Sequence, residues 1–210
     1  MPQNQPVILS RDKVPIGMLI GSRLEIPEGV TEIADHCFCD LMSIEELVIP
    51  SSVVRIGNGA FENCVNLKKV TFHKCDHRSG GSRVFKGCTQ LKEVHADSLD
   101  TVLNYVHDNY SSPFQYCAKL FIDGQELTEI TIPEDLDRLS KMHTLVGCSS
   151  IRNIYISESH PLFVEFFAGF EDFCTKEENY RYYTAHGWDP DDICFHSTED
   201  ATAPNQEGTI

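Results

Sequence analysis

The sequence predicts an α/β solenoid, in which short coils of chain stack on one another around a continuous core. Three observations lead to this prediction. An apolar pattern recurs every 23 to 24 residues. Each copy contains a strand-like segment that is too short to bury a core alone, so it must stack on its neighbours. The chain has 210 residues, which is enough for one domain with a terminal appendage.

The repeat is clearest in two consecutive copies. The segment Val30–Pro50 aligns with Val53–His73 at a shift of 23 residues, and a third copy, Val84–Ala96, continues the pattern at a shift of 24. A looser copy spans Ile130–Ile156, and a half-copy, Leu24–Val30, precedes the first. The matched positions are mostly apolar residues or cysteine, as a shared interior requires.

Each copy contains an apolar-x-apolar segment, which has the two-residue period of a half-buried strand. Between these segments, Ile56, Ala60 and Phe61 illustrate spacings of about three to five residues, which indicate a short helix or turn on the outer side. We therefore expect about six short coils, with parallel strands on a concave face and short helices or turns outside. The six strand segments carry the pairs Leu24/Ile26, Leu47/Ile49, Val70/Phe72, Val94/Ala96, Ile130/Ile132 and Ile154/Ile156.

The repeat can be written Val-x-x-Ile-x-x-x-Ala-Phe-x-x-Cys-x-x-Leu-x-x-Val-x-Ile-Pro, and Val53–Phe72 nearly matches it. This pattern resembles the BspA-like leucine-rich repeats of bacterial surface proteins, over roughly Leu24 to Ile156. The resemblance implies a right-handed leucine-rich-repeat solenoid and a role in adhesion or host-protein binding. It also implies a helical insert that ends in a strand and hairpin like Tyr116–Pro133. Leu41 in place of the repeated Cys and Leu145 in place of Phe depart from the pattern.

Segments outside the repeats set the domain boundaries. Ser98 precedes a helical apolar spacing and Asp123-Gly124 is a two-residue hairpin signal, so we expect a helix-hairpin insert at about 98–126. Apolar residues from Leu162 to Phe173 and a capping box at Thr175-x-x-Glu178 predict two further helices. The expected organisation is an N-terminal cap or hairpin at 1–23, a repeat domain at 24–157, a helical C-terminal cap at 158–196 and a flexible tail at 197–210.

Composition and charge narrow the function classes. Hydrophobic residues make up 41% of the chain and charged residues 23%, as in folded soluble domains. The net charge of −15 opposes binding to nucleic acid or anionic membrane surfaces. Apolar stretches such as Val14–Ile20 are far shorter than the roughly 20 residues that span a bilayer, so we expect no membrane insertion. We also expect a monomer.

Localisation is left open at this stage. The resemblance suggests a cell-surface or secreted protein, but Val7–Leu9 are followed at once by Arg11, Asp12 and Lys13, which is not the order of a secretion signal. A mature fragment of a secreted protein and a cytoplasmic protein both fit this observation.

The nine cysteines are an odd number, so at least one thiol is unpaired within a monomer. Cys64, Cys88 and Cys148 share one repeat position, which favours buried, reduced thiols over disulfides or metal ligands. The cluster His73-x-Cys75-Asp76-His77 has donor types that suit zinc, but it lacks a second pair at finger spacing and is typical of an inter-coil loop. We expect no metal and no cofactor.

The sequence contains no nucleophile elbow, phosphate-binding loop or zinc-protease motif, so we expect no enzymatic activity. The leading hypothesis is a non-catalytic module that binds a protein ligand on the concave surface of the solenoid. One alternative is a structural spacer module with no ligand of its own. The other is a small-molecule or glycan binder that uses a pocket beside the insert.

The residues that alternate with the core along each strand point to the concave surface. One expected column contains Arg23, Glu46, Lys69, Glu93, Glu129 and Asn153, and the other contains Glu25, Val48, Thr71, His95, Thr131 and Tyr155. Six strands at about 4.8 Å spacing would form a platform about 24 Å wide, enough to contact a peptide. The candidate binding residues are Glu46, Lys69, Thr71, Glu93, His95, Glu129, Thr131, Asn153 and Tyr155.

Two of these residues, His95 and Tyr155, are the expected anchors of binding, because both fall in one column and Tyr is enriched at interface hot spots. Glu93 and Glu129 are expected to be neighbours in the adjacent column. Together with the net charge of −15, this pair predicts a basic protein partner whose association slows as salt rises.

Overall fold

The computed structural model describes the repeat region almost continuously and the C-terminal part in pieces. The two helices predicted from 161 to about 186 and the loop residues 75–77 lie outside the described residues, as does the tail from 198 onward. None of the helices in the described part of the chain has the length and apolarity that a bilayer crossing requires. The described residues are 6–14, 18–74, 78–103, 105–106, 112–116, 118–132, 145–157, 159–160 and 193–197.

Short strands dominate these residues, and one α-helix, α1 (Leu99–Leu103), and one 3-10 turn at Arg11–Lys13 accompany them. In chain order the strands are β1 (Ile8–Leu9), β2 (Leu19–Ile20), β3 (Arg23–Glu25), β4 (Glu32–Ile33), β5 (Glu46–Ile49), β6 (Arg55–Ile56), β7 (Lys69–Phe72), β8 (Arg78–Gly80), β9 (Glu93–Ala96), β10 (Tyr105–Val106), β11 (Lys119–Ile122), β12 (Gln125–Glu126), β13 (Glu129–Thr131), β14 (Asn153–Ile156) and β15 (Cys194–Ser197).

The largest sheet, the concave sheet, has the order β12-β11-β9-β7-β5-β3-β2. The five strands from β3 to β11 are parallel, and the short strands β2 and β12 close the two edges in antiparallel pairing. Leu47 lies opposite Leu24 and Val70, which is the register that the repeat alignment predicts. A slip of one residue would turn these buried side chains outward, so the alternation of apolar residues fixes the register.

A second sheet, the outer sheet, stacks β1-β4-β6-β8-β10 in parallel on the other side of the coils. The sequence predicted a short helix or turn in the outer segment of each coil, and the structure has turns there. The reason is a pair of left-handed residues four positions apart in each coil, which a right-handed helix cannot contain. These residues are His36 and Asp40, Gly59 and Asn63, and Arg83 and Gly87, with φ between 52° and 82°.

The interior lies between the two sheets, and aromatic rings stack through it. Phe38 stacks on Phe61 at a centroid distance of 5.5 Å, and Phe61 stacks on Phe85 at 5.8 Å. Phe61 and Phe85 are completely buried. The prediction that the repeated Phe fills the interior is therefore confirmed.

The repeated cysteine is also an interior residue. The thiol of Cys64 donates to the carbonyl of Phe38 at 3.3 Å, and the thiol of Cys88 donates to the carbonyl of Phe61 at 3.2 Å. Cys148 is buried as well and lies 3.5 Å from the Ser150 hydroxyl. The predicted burial of Cys64, Cys88 and Cys148 is confirmed, and two of these thiols link one coil to the next.

The segment predicted to be a helix-hairpin insert is organised differently. Strand β11 pairs in parallel with β9, with Leu120 opposite Val94, so it is the fifth parallel strand of the concave sheet. The chain then turns at Asp123 and Gly124, whose φ values of 49° and 78° fit a type I′ hairpin turn. Before it, Ser98 Oγ accepts the Thr101 N–H at 3.3 Å at the start of α1. The coil continues through this segment.

A third sheet contains β13, β14 and β15, all parallel. Strand β15 lies at Cys194–Ser197, across the boundary that the sequence placed between a helical cap and a flexible tail. The alternation of Ile193 and Phe195 with Cys194 and His196 is the period-2 signal for this strand.

Candidate functional site

Two columns of side chains lie on the concave sheet, and all of them reach solvent except Val48, which is 6% exposed. We call Arg23, Glu46, Lys69, Glu93 and Lys119 the charge column, and Glu25, Val48, Thr71, His95 and Phe121 the central column. Four gaps of about 4.8 Å make this five-strand surface about 19 Å wide. A short peptide segment can lie across a surface of that width.

The predicted columns are confirmed over the first four strands and wrong beyond them. Lys119 and Phe121 follow Glu93 and His95, where the sequence placed Glu129 and Thr131. The physical reason is the hairpin at Asp123–Gly124, which folds β12 back and ends the concave sheet.

The remaining predicted site residues belong to the third sheet. Glu129 lies opposite Asn153, and Thr131 lies opposite Tyr155, so the pairing within this group is as expected. The nine candidates therefore form two groups. Glu46, Lys69, Thr71, Glu93 and His95 lie on the concave sheet, and Glu129, Thr131, Asn153 and Tyr155 lie on the third.

The charge column alternates in sign along its whole length. Arg23 Nη1 lies 3.3 Å from Glu46 Oε2, and Lys119 Nζ lies 3.0 Å from Glu126 Oε2. The side chains of Arg23 and Glu46 are 49% and 45% exposed. Such exposed ion pairs contribute at most about 1 kcal/mol each to stability, so these groups can exchange an intramolecular partner for one on a ligand. The predicted adjacency of Glu93 and Glu129 is wrong, because Lys119 is the neighbour of Glu93.

The central column contains an aromatic pair. The rings of His95 and Phe121 stack with centroids 4.5 Å apart and an angle of 5° between their planes. His95 Nε2 lies 3.0 Å from Glu93 Oε2, so the imidazole contacts a ring and a carboxylate at once. Both rings are partly buried and expose their remaining surface between charged side chains.

Sequence reasoning missed Phe121, although a signal for it existed. Leu120 and Ile122 are apolar on either side of it, and in a strand the residue between two inward residues points outward. The hairpin signal that follows suggested an insert, so this segment was never placed on the concave surface.

A hydrogen-bonded group of His73, Lys74 and Asp97 lies at one side of this surface. Beside the central column, His73 Nδ1 lies 3.2 Å from Asp97 Oδ1, and the backbone N–H of Lys74 donates to Asp97 Oδ2 at 2.8 Å. Within the described ranges, no three His, Cys, Asp or Glu side chains are grouped so as to hold a metal ion. Cys75, Asp76 and His77 of the candidate zinc motif lie outside those ranges.

The interior thiols of Cys37, Cys88 and Cys148 are held in their protonated form, whereas a hydrogen bond with the Cys88 thiol lowers the pKa of Cys64. Burial raises the pKa of Cys37 to about 11 and also raises the pKa of Cys148. The neighbouring Cys64 thiol and burial together raise the pKa of Cys88. A thiol is a poor nucleophile and metal ligand compared with a thiolate. The raised pKa values and the burial of Cys88 and Cys148 therefore suit these two repeated cysteines to packing.

Comparison with known proteins agrees with the repeat analysis. Residues 21–120 match the BspA type leucine rich repeat region in six copies. A search of proteins with curated function finds no match.

Solved structures of bacterial repeat proteins also align with the chain. A leucine rich cell surface protein from Faecalibacterium prausnitzii is 20% identical over 66% of this chain and 48% of its own, with a TM-score of 0.31. A leucine-rich repeat protein from Bacteroides ovatus is 15% identical over 84% of this chain and 54% of its own, with a TM-score of 0.32. The chain thus spans about half the length of each. Residues 21–120, just under half of the chain, are thus similar to the BspA type leucine rich repeat region.

Proposed function

We propose that this chain is a non-catalytic module whose concave sheet recognises another polypeptide. The observation that carries the proposal is the stacked pair of His95 and Phe121, which lies on an open sheet between charged side chains. Aromatic side chains surrounded by a polar rim are the usual composition of a protein-binding hot spot. The repeat family also supports an interaction role, since solenoids present extended concave surfaces.

Variation along the central column supports the same conclusion. The interior repeats Phe and Cys at the same positions in successive coils, because each coil must pack on the next. The central column instead changes at every coil, through Glu25, Val48, Thr71, His95 and Phe121. A surface whose chemistry differs at each step can distinguish one ligand sequence and direction from another.

The charge column indicates what such a ligand would carry. Its three cations and two anions alternate, so the net charge of −15 for the whole chain does not describe this face. A polypeptide with an acidic group near Lys69 or Lys119 and a basic group near Glu46 or Glu93 would be complementary to it. Complementary charges of this kind contribute mainly to specificity and association rate.

A peptide display library tests the proposal. Wild-type protein should select peptides of mixed charge with micromolar or tighter affinity, and Phe121→Ala should weaken their binding by about tenfold or more. Val54→Ala is the matched control, because Val54 is an apolar residue beside the outer sheet that is 47% exposed. Peptides that bind wild type and Phe121→Ala equally would refute this site. Selection of no peptide at all would favour the spacer alternative.

A further inference from the structure

A cavity of about 280 Å³ lies at the N-terminal end of the solenoid, away from the concave columns. Its walls combine an apolar interior with a polar mouth. The apolar residues include Leu19, Leu24, Phe38 and Leu41, and the polar ones include Arg11 and Cys39.

The apolar part of the cavity continues the solenoid core. Phe38 is the first ring of the stack that leads through Phe61 to Phe85, and Leu24 is the first of the stacked apolar residues on the concave strands. Both are almost fully buried and both line the cavity. The end of a solenoid leaves its interior without a covering coil. An apolar space of this kind favours a hydrocarbon group over water.

Arg11 supplies a cation at the mouth. Its Nη1 donates to Cys39 Sγ at 3.1 Å, and no carboxylate in the described part of the chain lies within salt-bridge distance of the guanidinium. The acidic residue that lines the cavity, Asp40, accepts a hydrogen bond from Asn63 Nδ2 at 3.0 Å, one coil further on. Sulfur is a weak acceptor, whereas a carboxylate can accept two parallel N–H bonds from a guanidinium.

We propose that this cavity binds a medium-chain carboxylate, with its aliphatic chain against Leu24 and Phe38 and its head group on Arg11. A volume of 280 Å³ corresponds to about nine groups of water size, at about 30 Å³ each. A saturated chain of about eight carbons fits that volume, so octanoate is the probe. The inference is independent of polypeptide binding on the concave sheet.

Cys39 provides a reporter for occupancy, because it is partly exposed and lines the cavity. The experiment measures the rate of Cys39 alkylation by iodoacetamide, resolved by peptide mass spectrometry, as octanoate is added. We expect saturating octanoate to slow alkylation of Cys39 about tenfold or more. Octanol and butyrate, which lack the head group and the chain length respectively, should protect weakly.

Arg11→Gln tests the role of the charge. Arg11 is exposed on a 3-10 turn that contains no buried residue, so the variant should fold. The octanoate concentration that halves the rate of Cys39 alkylation should be about tenfold higher for Arg11→Gln than for wild type. Lys13→Gln, on the same turn, should behave like wild type. Each variant is compared with its own rate without octanoate. Equal protection of wild type and Arg11→Gln, equal protection by octanol, or no protection by octanoate would each overturn the proposal.

Discussion

Each coil has a turn side, formed by residues 35–40, 57–63 and 81–87 in three successive coils, and a concave face. The two differ in how strictly the sequence repeats. On the turn side the residues before the repeated cysteine position, Asp40, Asn63 and Gly87, all adopt left-handed backbone, and they are residue types that tolerate it. On the concave face the register is just as regular, but the side chains change from coil to coil. The difference indicates that contact between coils constrains the residue types on the turn side. The side chains of the concave face are under no such constraint, so they can vary and serve binding.

Close contact between coils explains the constraint. A Cβ at Gly57 would lie 2.4 Å from the backbone N of Asp35, and a Cβ at Gly81 would lie 2.7 Å from the backbone N of Asn58. Asn58 also joins three coils, because its N–H and side chain donate to Asp35 and its Oδ1 accepts the Ser82 N–H at 2.8 Å. Any side chain at Gly57 or Gly81 would therefore push neighbouring coils apart.

The largest expected effect is on the stacked interior. Phe61→Ala should lower the free energy of unfolding by about 3 to 5 kcal/mol, because it removes a completely buried ring and leaves a cavity. Urea denaturation measures the loss. Lys68→Ala is the control, since Lys68 is exposed and its Nζ pairs with Glu45 Oε2 on the surface at 2.9 Å. A loss below about 1 kcal/mol for Phe61→Ala would contradict the interior register.

The next effect concerns the approach of neighbouring coils. Gly57→Ala should lower the free energy of unfolding by about 2 to 3 kcal/mol, because the new methyl group meets backbone atoms that cannot move alone. Gly29→Ala separates this effect from backbone strain. Gly29 has φ +88° and open space around its Cβ position. Its replacement by Ala should therefore lower the free energy of unfolding by only about 1 kcal/mol, through strain in the left-handed backbone. Equal losses for the two variants would refute close packing on the turn side.

Sequence reasoning succeeded where packing repeats and failed where it changes. The period-2 pairs such as Leu47 and Ile49 placed the strands correctly, and Phe61 and Cys64 identified the interior, because these positions face the same surroundings in every coil. The outer sheet was missed because strands of two residues give almost no alternation. Left-handed residues such as Asn63 were present in the sequence, but their φ values depend on the hydrogen bonds between coils.

The fifth strand was missed for a different reason. Nine residues separate Phe85 from Val94, but only six separate Phe114 from Leu120, which lies opposite Val94 in the next coil. The shortened coil does not align with the other repeats. The hairpin signal that follows it therefore led to the prediction of an insert in place of a fifth parallel strand. The shortening places Phe121 beside His95 on the concave sheet. This part of the candidate site could therefore not be predicted from the repeat.

A smaller effect is expected from pH. Hydrogen bonds from the backbone and side chain of Asn58 hold the pKa of Asp35 below its usual range. A carboxyl group with a lowered pKa in the folded state adds stability that is present above the unfolded pKa, near 4, and is lost as pH falls through the folded pKa. Because the side chain is 49% exposed, the contribution should not exceed about 1 kcal/mol.

Urea midpoints of wild type and Asp35→Asn at pH 7 and near pH 2 measure this contribution. The variant should be less stable than wild type at pH 7, and the difference should shrink at low pH. Glu28→Gln, on an exposed turn, controls for the loss of one carboxyl group. A difference between wild type and Asp35→Asn that stays constant with pH would show that the carboxylate of Asp35 does not hold the coils together.

The division between a constrained turn side and a variable concave face is tested most directly by unfolding free energies of matched alanine variants in urea. Asn58→Ala and Asn63→Ala should each lose about 1 to 3 kcal/mol through lost hydrogen bonds, to which Asn63→Ala adds the cost of a left-handed backbone. Thr71→Ala and His95→Ala, on the central column, should each lose less than about 0.5 kcal/mol. Losses on the central column as large as those on the turn side would contradict the account, because the concave residues would then be needed for the fold.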